Sequence, residues 1–187
     1  MLSTSTGTGP KRGALILFEG TDRCGKTTQV QLLEDHLRSK GTIAEKIRFP
    51  DRTSYIGKLI NDYLANTAST QGVSDQTIHL LFSANRWEAS KQLEERLLAG
   101  TTFVCDRYAY SGVSFSAAKQ TPGMDLDWCK ACDSGLPAPD CVIYLDMPVE
   151  EAAKVGDGDE TNICVHLPFH CLCTSQCSTN QSTFRPQ

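Results

Sequence analysis

The chain has 187 residues, a length that suits one domain and is short for two. Hydrophobic residues make up 40% of it and charged residues 21%, which is ordinary globular usage and excludes disordered, collagenous and coiled-coil proteins. Its formal net charge of −4 argues against binding nucleic acid or a membrane surface through bulk charge. No apolar run approaches the ~18 residues of a membrane helix. We therefore expect neither nucleic acid nor membrane as a partner.

Residues 1–12 contain no apolar segment of the kind that a secretory signal needs, and we expect a flexible tail there. Two adjacent basic residues and several hydroxyls leave a short organelle-targeting segment as the alternative. The nine cysteines are an odd number, and without a secretory signal a reducing compartment is expected rather than a disulfide framework. These features predict a cytoplasmic protein, with a nuclear or mitochondrial pool as the alternative.

Residues 13–154 alternate between predicted strands and helices. Apolar runs that end in an acid, as at 14–19 and 102–106, are typical of strands buried on both faces. Apolar residues at helical spacing, with Ser74 or Asp75 before one helix and Gly41 after another as capping signals, indicate amphipathic helices. Strands that alternate with helices predict an α/β fold with a parallel sheet. The predicted strands are 14–19, 43–49, 102–106 and 141–146, and the main predicted helices are 27–40, 56–64 and 74–99.

The segment after Lys154 differs in character from everything before it. Residues 155–187 hold four of the nine cysteines and a single basic residue, Arg185, and they show no sustained periodicity, so we expect a mostly irregular tail. A zinc site is the alternative for its cysteines and histidines, although their spacing matches no standard zinc pattern and drift in composition is the simpler explanation. The candidate zinc ligands are Cys164, His166, His170, Cys171, Cys173 and Cys177.

The strongest chemical signal is a G-x4-G-K-T pattern that runs from Gly20 to Thr27, between a predicted strand and a predicted helix. Glycines in such a turn let successive backbone N–H groups point at a phosphate, and the helix N-terminus adds its positive end. Lys26 is expected to bridge the β- and γ-phosphates of a nucleoside triphosphate, and the Thr27 hydroxyl to ligate Mg²⁺. The pattern therefore predicts a binding site for a nucleoside triphosphate.

Two charged residues, Asp22 and Arg23, lie inside this turn. Phosphate repels a carboxylate, so Asp22 is expected to face another group, such as a sugar hydroxyl. Arg23 is placed to reach the transferred phosphoryl group. A surface ion pair is the alternative interpretation of the two charges.

Three further groups of residues are candidates for binding a ligand. Asp106 and Arg107 end the third strand, where an acid can hold Mg²⁺ through water and an arginine can clamp phosphate oxygens; a structural salt bridge is the alternative. Arg52, after the second strand, can reach the crevice at the ends of these strands and hold a second phosphate. Phe82 and Arg86 are four residues apart on a predicted helix, so they share a face that suits a flat heterocycle with carbonyl acceptors. Taken alone, Phe82 is more often a core residue.

Together these segments resemble the thymidylate kinases, members of the P-loop nucleoside monophosphate kinase group. The resemblance covers residues 13–154 and is closest to the eukaryotic type, in which an arginine in the P-loop assists phosphoryl transfer; Arg23 has that position here. It implies a P-loop nucleoside monophosphate kinase fold, with a parallel sheet and flanking helices, and a homodimer. It also implies that ATP and Mg²⁺ convert deoxythymidine monophosphate (dTMP) into deoxythymidine diphosphate for dTTP synthesis. The matching segments are FEGTDRCGKTTQ, RFPDR, IGKLI, LLFSANRWE, DRYAYSGVSFS and LPAPD.

The resemblance also implies roles by position. Asp22 would hold the 3′-hydroxyl of dTMP, Phe82 would stack on thymine, and Arg86 would bond its carbonyl. The catalytic residues implied are Arg23, Lys26, Asp106 and Arg107, with Thr27 and Asp106 at the metal, partly through water. The residues implied at the ATP phosphates are Gly20, Asp22, Arg23, Cys24, Gly25, Lys26, Thr27 and Thr28, and those implied at dTMP are Asp22, Phe49, Arg52, Phe82, Arg86, Arg107, Ser111 and Phe115.

The chain departs from the family after Lys154. There the family continues with a lid rich in glycine, arginine and acidic residues, further helices, a fifth strand and a loop that holds adenine, and none of these is recognisable in residues 155–187. We therefore expect the fifth strand and the usual lid to be missing, the strand at 141–146 to form a bare apolar edge, and turnover to be impaired. A non-catalytic form that binds dTMP or dimerises, and a kinase for another nucleoside monophosphate, are the alternatives.

Overall fold

The computed structural model describes residues 11–65, 72–152 and 169–173. The strands in these ranges form one sheet in the order β2-β3-β1-β4-β5, in which β1 to β4 are parallel and β5 is antiparallel to β4. The strands are β1 Leu15–Gly20, β2 Ala44–Arg48, β3 Thr102–Asp106, β4 Cys141–Leu145 and β5 Phe169–Cys173. The helices are α1 Lys26–Ser39, α2 Tyr55–Leu64, α3 Asp75–Leu98, α4 Ala109–Ala117, α5 Leu126–Ala131 and α6 Val149–Ala152.

Both faces of the sheet are packed, because successive side chains of a strand point to opposite sides. Leu17 of β1 belongs to the core on one face, which it shares with Leu97 of α3. Phe18 belongs to the core on the other face, which it shares with Val30 of α1. Burial on both faces explains why the central strands read as continuous apolar runs rather than as alternating patterns.

The predicted α/β fold with a parallel sheet is confirmed, and the ends of its predicted elements shift by about a residue, as boundaries commonly do. Gly41 follows α1 with a φ of 81°, and Ser74 caps α3 by accepting a hydrogen bond from Thr77 N (3.2 Å). The helices α4 and α5 were not predicted. They have 9 and 6 residues, too few turns for an apolar stripe to stand out.

The parallel part of the sheet has the four predicted strands, but the expectation that β4 forms a bare edge is wrong, because an antiparallel fifth strand, β5, lies beside it. β5 pairs with β4 along its whole length, with Ile143 opposite Cys171, so β4 is not a bare edge. A sheet edge offers its N–H and C=O groups to any segment that reaches it, and such pairing needs no sequence pattern of its own. The predicted loss of the lid concerns residues 153–168 and 174–187, which lie outside the described residues.

Two other expectations concern residues that are only partly described. Of the tail predicted at 1–12, residues 11 and 12 are described, and Arg12 Nη1 donates a hydrogen bond to Asp140 Oδ2 (2.7 Å). The candidate zinc ligands lie in 155–187, where only the backbone of β5 is described; elsewhere the described residues contain no group of three or more His, Cys, Asp or Glu that would hold a metal ion. Within the same described ranges, no helix has the length and apolar character needed to cross a membrane.

Candidate functional site

The carboxyl ends of β1, β2 and β3 lie side by side at one edge of the sheet, where open α/β folds hold their ligands. β1 ends at Gly20 before the glycine-rich turn, β2 ends at Arg48 and β3 ends at Asp106. The register places Asp106 opposite Phe18 of β1 and opposite Arg48 of β2. The fold thus brings the predicted groups on these three strands to one edge.

Two glycines shape the turn between β1 and α1. Gly20 has a φ of 148°, and a Cβ there would lie 2.5 Å from Leu145 O, so the turn passes close to the end of β4. Gly25, with a φ of 83°, immediately precedes α1 and offers no side chain to cap it. The N–H groups of the first helical turn are therefore available to an anion. Arg23, between the glycines, is exposed and also has a positive φ, 64°.

Lys26, the first residue of α1, carries a buried ammonium group. The residue is 5% exposed, and its Nζ donates a hydrogen bond to Thr21 O. Nζ also lies 3.5 Å from Sγ of Cys24, a residue that is buried as well. Among the described residues, no carboxylate forms a salt bridge with Lys26. A buried cation without a counter-charge is unfavourable, so the position favours a bound anion.

Asp106, at the end of β3, lies beside the first turn of α1. Thr27 Oγ1 donates to its Oδ2 (2.8 Å), and Arg48 Nε lies 3.6 Å from the same oxygen. Its Oδ1 is buried and has no hydrogen-bond partner in the described part of the chain. Because buried polar atoms normally find a partner, this oxygen and the neighbouring hydroxyl of Thr27 form a site suited to a hard cation.

Arg107 is held by two polar contacts. Its Nη2 pairs with Asp22 Oδ1, and its Nη1 donates to Ser111 Oγ (3.0 Å). Its guanidinium carbon lies 5.7 Å from the centre of the Phe115 ring, and its backbone φ is 66°. Asp22 in the glycine-rich turn is thereby joined to the residue that follows β3, so the two candidate phosphate-binding segments are connected directly.

Glu19, near the end of β1, organises the start of α4. Its Oε1 accepts hydrogen bonds from Tyr108 N (3.0 Å) and Ser111 N (3.2 Å), and its Oε2 accepts one from Ser111 Oγ (2.6 Å). These N–H groups begin a helix whose own N-cap side chain makes no capping bond, so Glu19 caps α4 from another element. Burial raises the pKa of Glu19 above its ordinary value, and the hydrogen bonds from Ser111 and Tyr108 partly offset this rise.

The loop after β2 is docked on α3. The buried Asn85 accepts a hydrogen bond from Asp51 N (2.8 Å) and donates one to Asp51 O (3.0 Å). Arg52, next in the loop, is exposed and lines a cavity of about 560 Å³ together with residues of β2 and α3. Phe49 lines the same cavity but is only 4% exposed, and its ring centre lies 5.4 Å from that of Tyr108. Phe49 is therefore mainly a core residue.

Helix α3 carries Phe82 and Arg86 one turn apart, with Phe82 half-buried. Arg86 is 2% exposed and forms a bidentate pair with Asp133, which is fully buried: Nε donates to Oδ1 (2.9 Å) and Nη2 to Oδ2 (2.7 Å). α4 packs against the same guanidinium, because a Cβ on Gly112 would lie 3.0 Å from Nη2. The arginine predicted to read a base is thus held by a carboxylate on a different segment.

Three residues that support the site were not identified from the sequence. Glu19 has one local signal, since it is the acid that closes an apolar strand, and Asn85 lies inside the matching segment LLFSANRWE. Asp133 has none. It is 47 residues from Arg86 along the chain, and no local pattern predicts a pairing over that distance.

Comparisons with known proteins cover this same region. A sequence model of a family described as thymidylate kinase matches residues 18–165. The thymidylate kinases of Dictyostelium discoideum and Arabidopsis thaliana are each 53% identical to this chain, over 148 and 150 residues. The alignments cover 79% and 80% of this chain and 64% and 55% of those proteins. The chain therefore spans less than two thirds of the length of these curated relatives.

A solved structure of thymidylate kinase from Candida albicans is 42% identical to the chain and matches it with a TM-score of 0.69. That match covers 78% of this chain and 69% of the other. The segment matched in sequence holds the glycine-rich turn, the end of β3 and the whole of α3, and it accounts for more than half of the chain. Since sequence and fold agree over one region, the chain belongs to the thymidylate kinase family.

Proposed function

We propose that this chain transfers the γ-phosphoryl group of ATP to dTMP, giving ADP and deoxythymidine diphosphate. The observation that carries the proposal is Lys26, a buried ammonium at the start of α1 whose described contacts are a carbonyl and a thiol. The phosphates of ATP supply the negative charge that this position lacks. Phosphoryl transfer asks little covalent chemistry of a protein, so positioned charges are the main requirement.

At the donor end, Lys26 and the first N–H groups of α1 bind the β- and γ-phosphates, and Arg23 stabilises the charge that develops on the transferred group. Thr27 and Asp106 fit Mg²⁺, because Oδ1 of Asp106 is buried without a described partner and the Thr27 hydroxyl adjoins the same carboxylate. When bound, Mg²⁺ offsets negative charge on the phosphate oxygens. The other residues proposed around the phosphates are Gly20, Asp22, Cys24, Gly25 and Thr28.

At the acceptor phosphate, the proposed ligands are Arg107 and Arg52. Two of the five N–H groups of the Arg107 guanidinium go to Asp22 and Ser111, so the plane of the group is set and its other N–H groups remain for phosphate oxygens. Asp22 is mostly exposed and keeps a second carboxylate oxygen for the 3′-hydroxyl of the sugar. Arg52 is exposed at the docked loop after β2.

At the base, Phe82 stacks on thymine and Arg86 donates to a carbonyl of the ring. Support comes from their spacing of one helical turn and from the fixed guanidinium of Arg86. Ser111 and Phe115, on α4 beside Arg107, complete the pocket around base and sugar. Phe49 also belongs to the proposed dTMP site, where its buried ring packs in the core next to the loop after β2.

We also propose a homodimer and a reducing compartment such as the cytoplasm. Tyr55 and Leu59 of α2 are 76% and 41% exposed, which leaves apolar surface for a second copy of the chain. Cys24, Cys105 and Cys129 are buried free thiols, as a reducing compartment favours. Light scattering of the purified chain tests the dimer.

The decisive experiment is ADP release by the purified chain with ATP, Mg²⁺ and dTMP. Lys26→Ala should abolish it, whereas Lys40→Ala, the same change at the exposed far end of α1, should leave it intact. Other monophosphates serve as competing acceptors, and a preference for uridylate or adenylate would favour a different monophosphate kinase. dTMP binding without ADP release would overturn the kinase proposal and leave a nucleotide-binding protein.

The expected impairment of turnover is tested in the same assay. The lid and the adenine loop of the family are not recognisable after Lys154, so water exclusion and ATP affinity should be reduced. We expect a higher KM for ATP than in a full-length relative, with dTMP affinity preserved because its proposed ligands all precede Lys154. Equal KM values for ATP would contradict this prediction.

A further inference from the structure

The strongest unexplained feature is the buried pair of Arg86 and Asp133. Both oxygens of Asp133 are engaged, one by Nε and one by Nη2, at 2.9 and 2.7 Å, and the two residues are 2% and 0% exposed. A side-on bidentate pair fixes the plane and the rotation of a guanidinium. Within the described part of the chain, Asp133 accepts two of the five guanidinium N–H groups of Arg86, which leaves three for a ligand or solvent.

Asp133 itself is held independently of Arg86. Ser83 Oγ lies 2.8 Å from both Asp133 Oδ1 and Cys132 O, and Trp87 Nε1 donates to Cys132 O (3.0 Å). One turn earlier on α3, His79 Nε2 donates to Cys129 O (2.9 Å). Polar contacts along α3 thus hold the segment 129–133 in place. The Asp133 carboxylate therefore has a fixed position from which it orients the guanidinium of Arg86.

The third boundary of the guanidinium is α4. A Cβ at Gly112 would lie 3.0 Å from Nη2 and 3.1 Å from Nη1 of Arg86, so a side chain there would press on the guanidinium, which would have to shift by a few tenths of an ångström. Arg86 is therefore confined between α4 on one side and Asp133 on another. A rotation that presented different N–H groups to a ligand would require one of these two elements to move.

We propose that Asp133 is a positioning residue that sets the acceptor preference of this enzyme by aiming Arg86. This inference rests on the proposed function, in which Arg86 faces the base of the acceptor. Donors held in one direction accept a pyrimidine with a ring carbonyl at that place. The same N–H groups disfavour a pyrimidine with an amino group at that place, because two hydrogen-bond donors then face each other and neither finds an acceptor. The preference for dTMP over deoxycytidine monophosphate (dCMP) thus depends on a residue that need not touch either nucleotide.

The test compares kcat/KM for dTMP and for dCMP in the full chain and its variants. Asp133→Asn places an amide N–H against one of the arginine donors, and we expect the dTMP:dCMP ratio to fall by about tenfold or more. The matched control is Asp127→Asn, the same change on an exposed side chain of α5, which should leave the ratio unchanged. Because Asp133→Asn risks misfolding, Ser83→Ala gives a milder test, with a fall of about threefold expected from the loss of one hydrogen bond to Asp133.

A double variant separates positioning from a merely structural role. If Asp133 acts through Arg86, then Arg86→Gln combined with Asp133→Asn should give the same ratio as Arg86→Gln alone. A structural role would lower activity towards both acceptors equally and keep the ratio at its original value, which would overturn the proposal. Calorimetric Kd values for dTMP and dCMP give the same ratio without turnover. Absence of ADP release with an altered Kd ratio would therefore reject the proposed function and keep the positioning role.

Discussion

The proposed phosphate end and the proposed base end of this site are built in different ways. At the phosphate end, Lys26 and Thr27 are consecutive in the chain, and they meet Asp106 because neighbouring parallel strands end together. At the base end, Arg86 depends on Asp133 and on the packing of α4 against α3. The first construction uses backbone geometry and strand order, whereas the second uses side-chain hydrogen bonds between distant segments. Substitutions remote from any ligand should therefore disturb base selection more readily than phosphoryl transfer.

The largest effect is expected at the phosphate end. Asp106→Asn removes the charge beside Thr27 but keeps a carbonyl oxygen that accepts the Thr27 hydrogen bond, so the fold should survive. We expect kcat to fall by about a hundredfold or more, with dTMP affinity unchanged and a higher Mg²⁺ requirement. Steady-state kinetics over a range of Mg²⁺ concentrations measures this. The control is Asp35→Asn on the exposed side of α1, which should change neither constant. A loss of dTMP affinity as large as the loss of kcat would contradict the separation of the site into two ends.

Asp22→Asn probes the connection between the two ends. It weakens the pair with Arg107, whose contact with Ser111 remains. Since the side chain of Asp22 is 72% exposed and screened by solvent, we expect only a roughly three- to tenfold rise in KM for dTMP, with kcat nearly constant. Initial rates at varied dTMP give both constants. A large fall in kcat with KM unchanged would place Asp22 at the chemical step instead.

The base end should respond to pH through His79, which burial keeps at a pKa below its ordinary 6.5. The lowered pKa favours the neutral ring near pH 7, in which Nε2 donates to Cys129 O and Nδ1 accepts from Ser116 Oγ. Of the charges nearby, Arg86 lowers the pKa and Asp133 raises it. A lowered folded-state pKa adds stability that is complete above the unfolded-state value and is lost as the pH falls.

His79→Gln keeps one donor and one acceptor but does not titrate. The free energy of unfolding of this variant, measured in urea between about pH 7 and pH 5, should therefore decline less than that of the unaltered chain. The dTMP:dCMP ratio of the unaltered chain should fall over the same interval. Parallel declines in the two proteins would assign the pH dependence to another group.

The smallest effect is expected from the cap of α5. Asp125 accepts a hydrogen bond from Trp128 N (2.8 Å), and Asp125→Ala should lower the free energy of unfolding by about 1 kcal/mol. It should also lower the dTMP:dCMP ratio slightly, because α5 contains the first residues of the 129–133 segment. Ser74→Ala removes the corresponding cap of α3 and should match the stability loss without changing the ratio. Equal dTMP:dCMP ratios in both variants would show that the polar contacts with α3 hold the segment 129–133 without help from the cap of α5.

Much of the fold follows from local pattern. The central strands are predicted because burial on both faces produces continuous apolar runs, and α3 is predicted by its length and by Ser74. The helices α4 and α5 escape prediction because they are short. β5 escapes because the sequence around it has no sustained hydrophobic period, and its pairing partner, the edge of β4, is distant in the chain.

The sequence by itself determined the glycine-rich turn, the acid and arginine that end a strand, and the family. These features lie in contiguous segments, so the residue types and their spacing along the chain are enough to identify them. Only the tertiary structure decided that Glu19 caps α4, that Asn85 holds the Arg52 loop and that Asp133 holds Arg86. Each of these contacts joins buried polar groups that are far apart in the chain. Burial makes such pairing obligatory, but only the packing of the elements determines which partner is within reach.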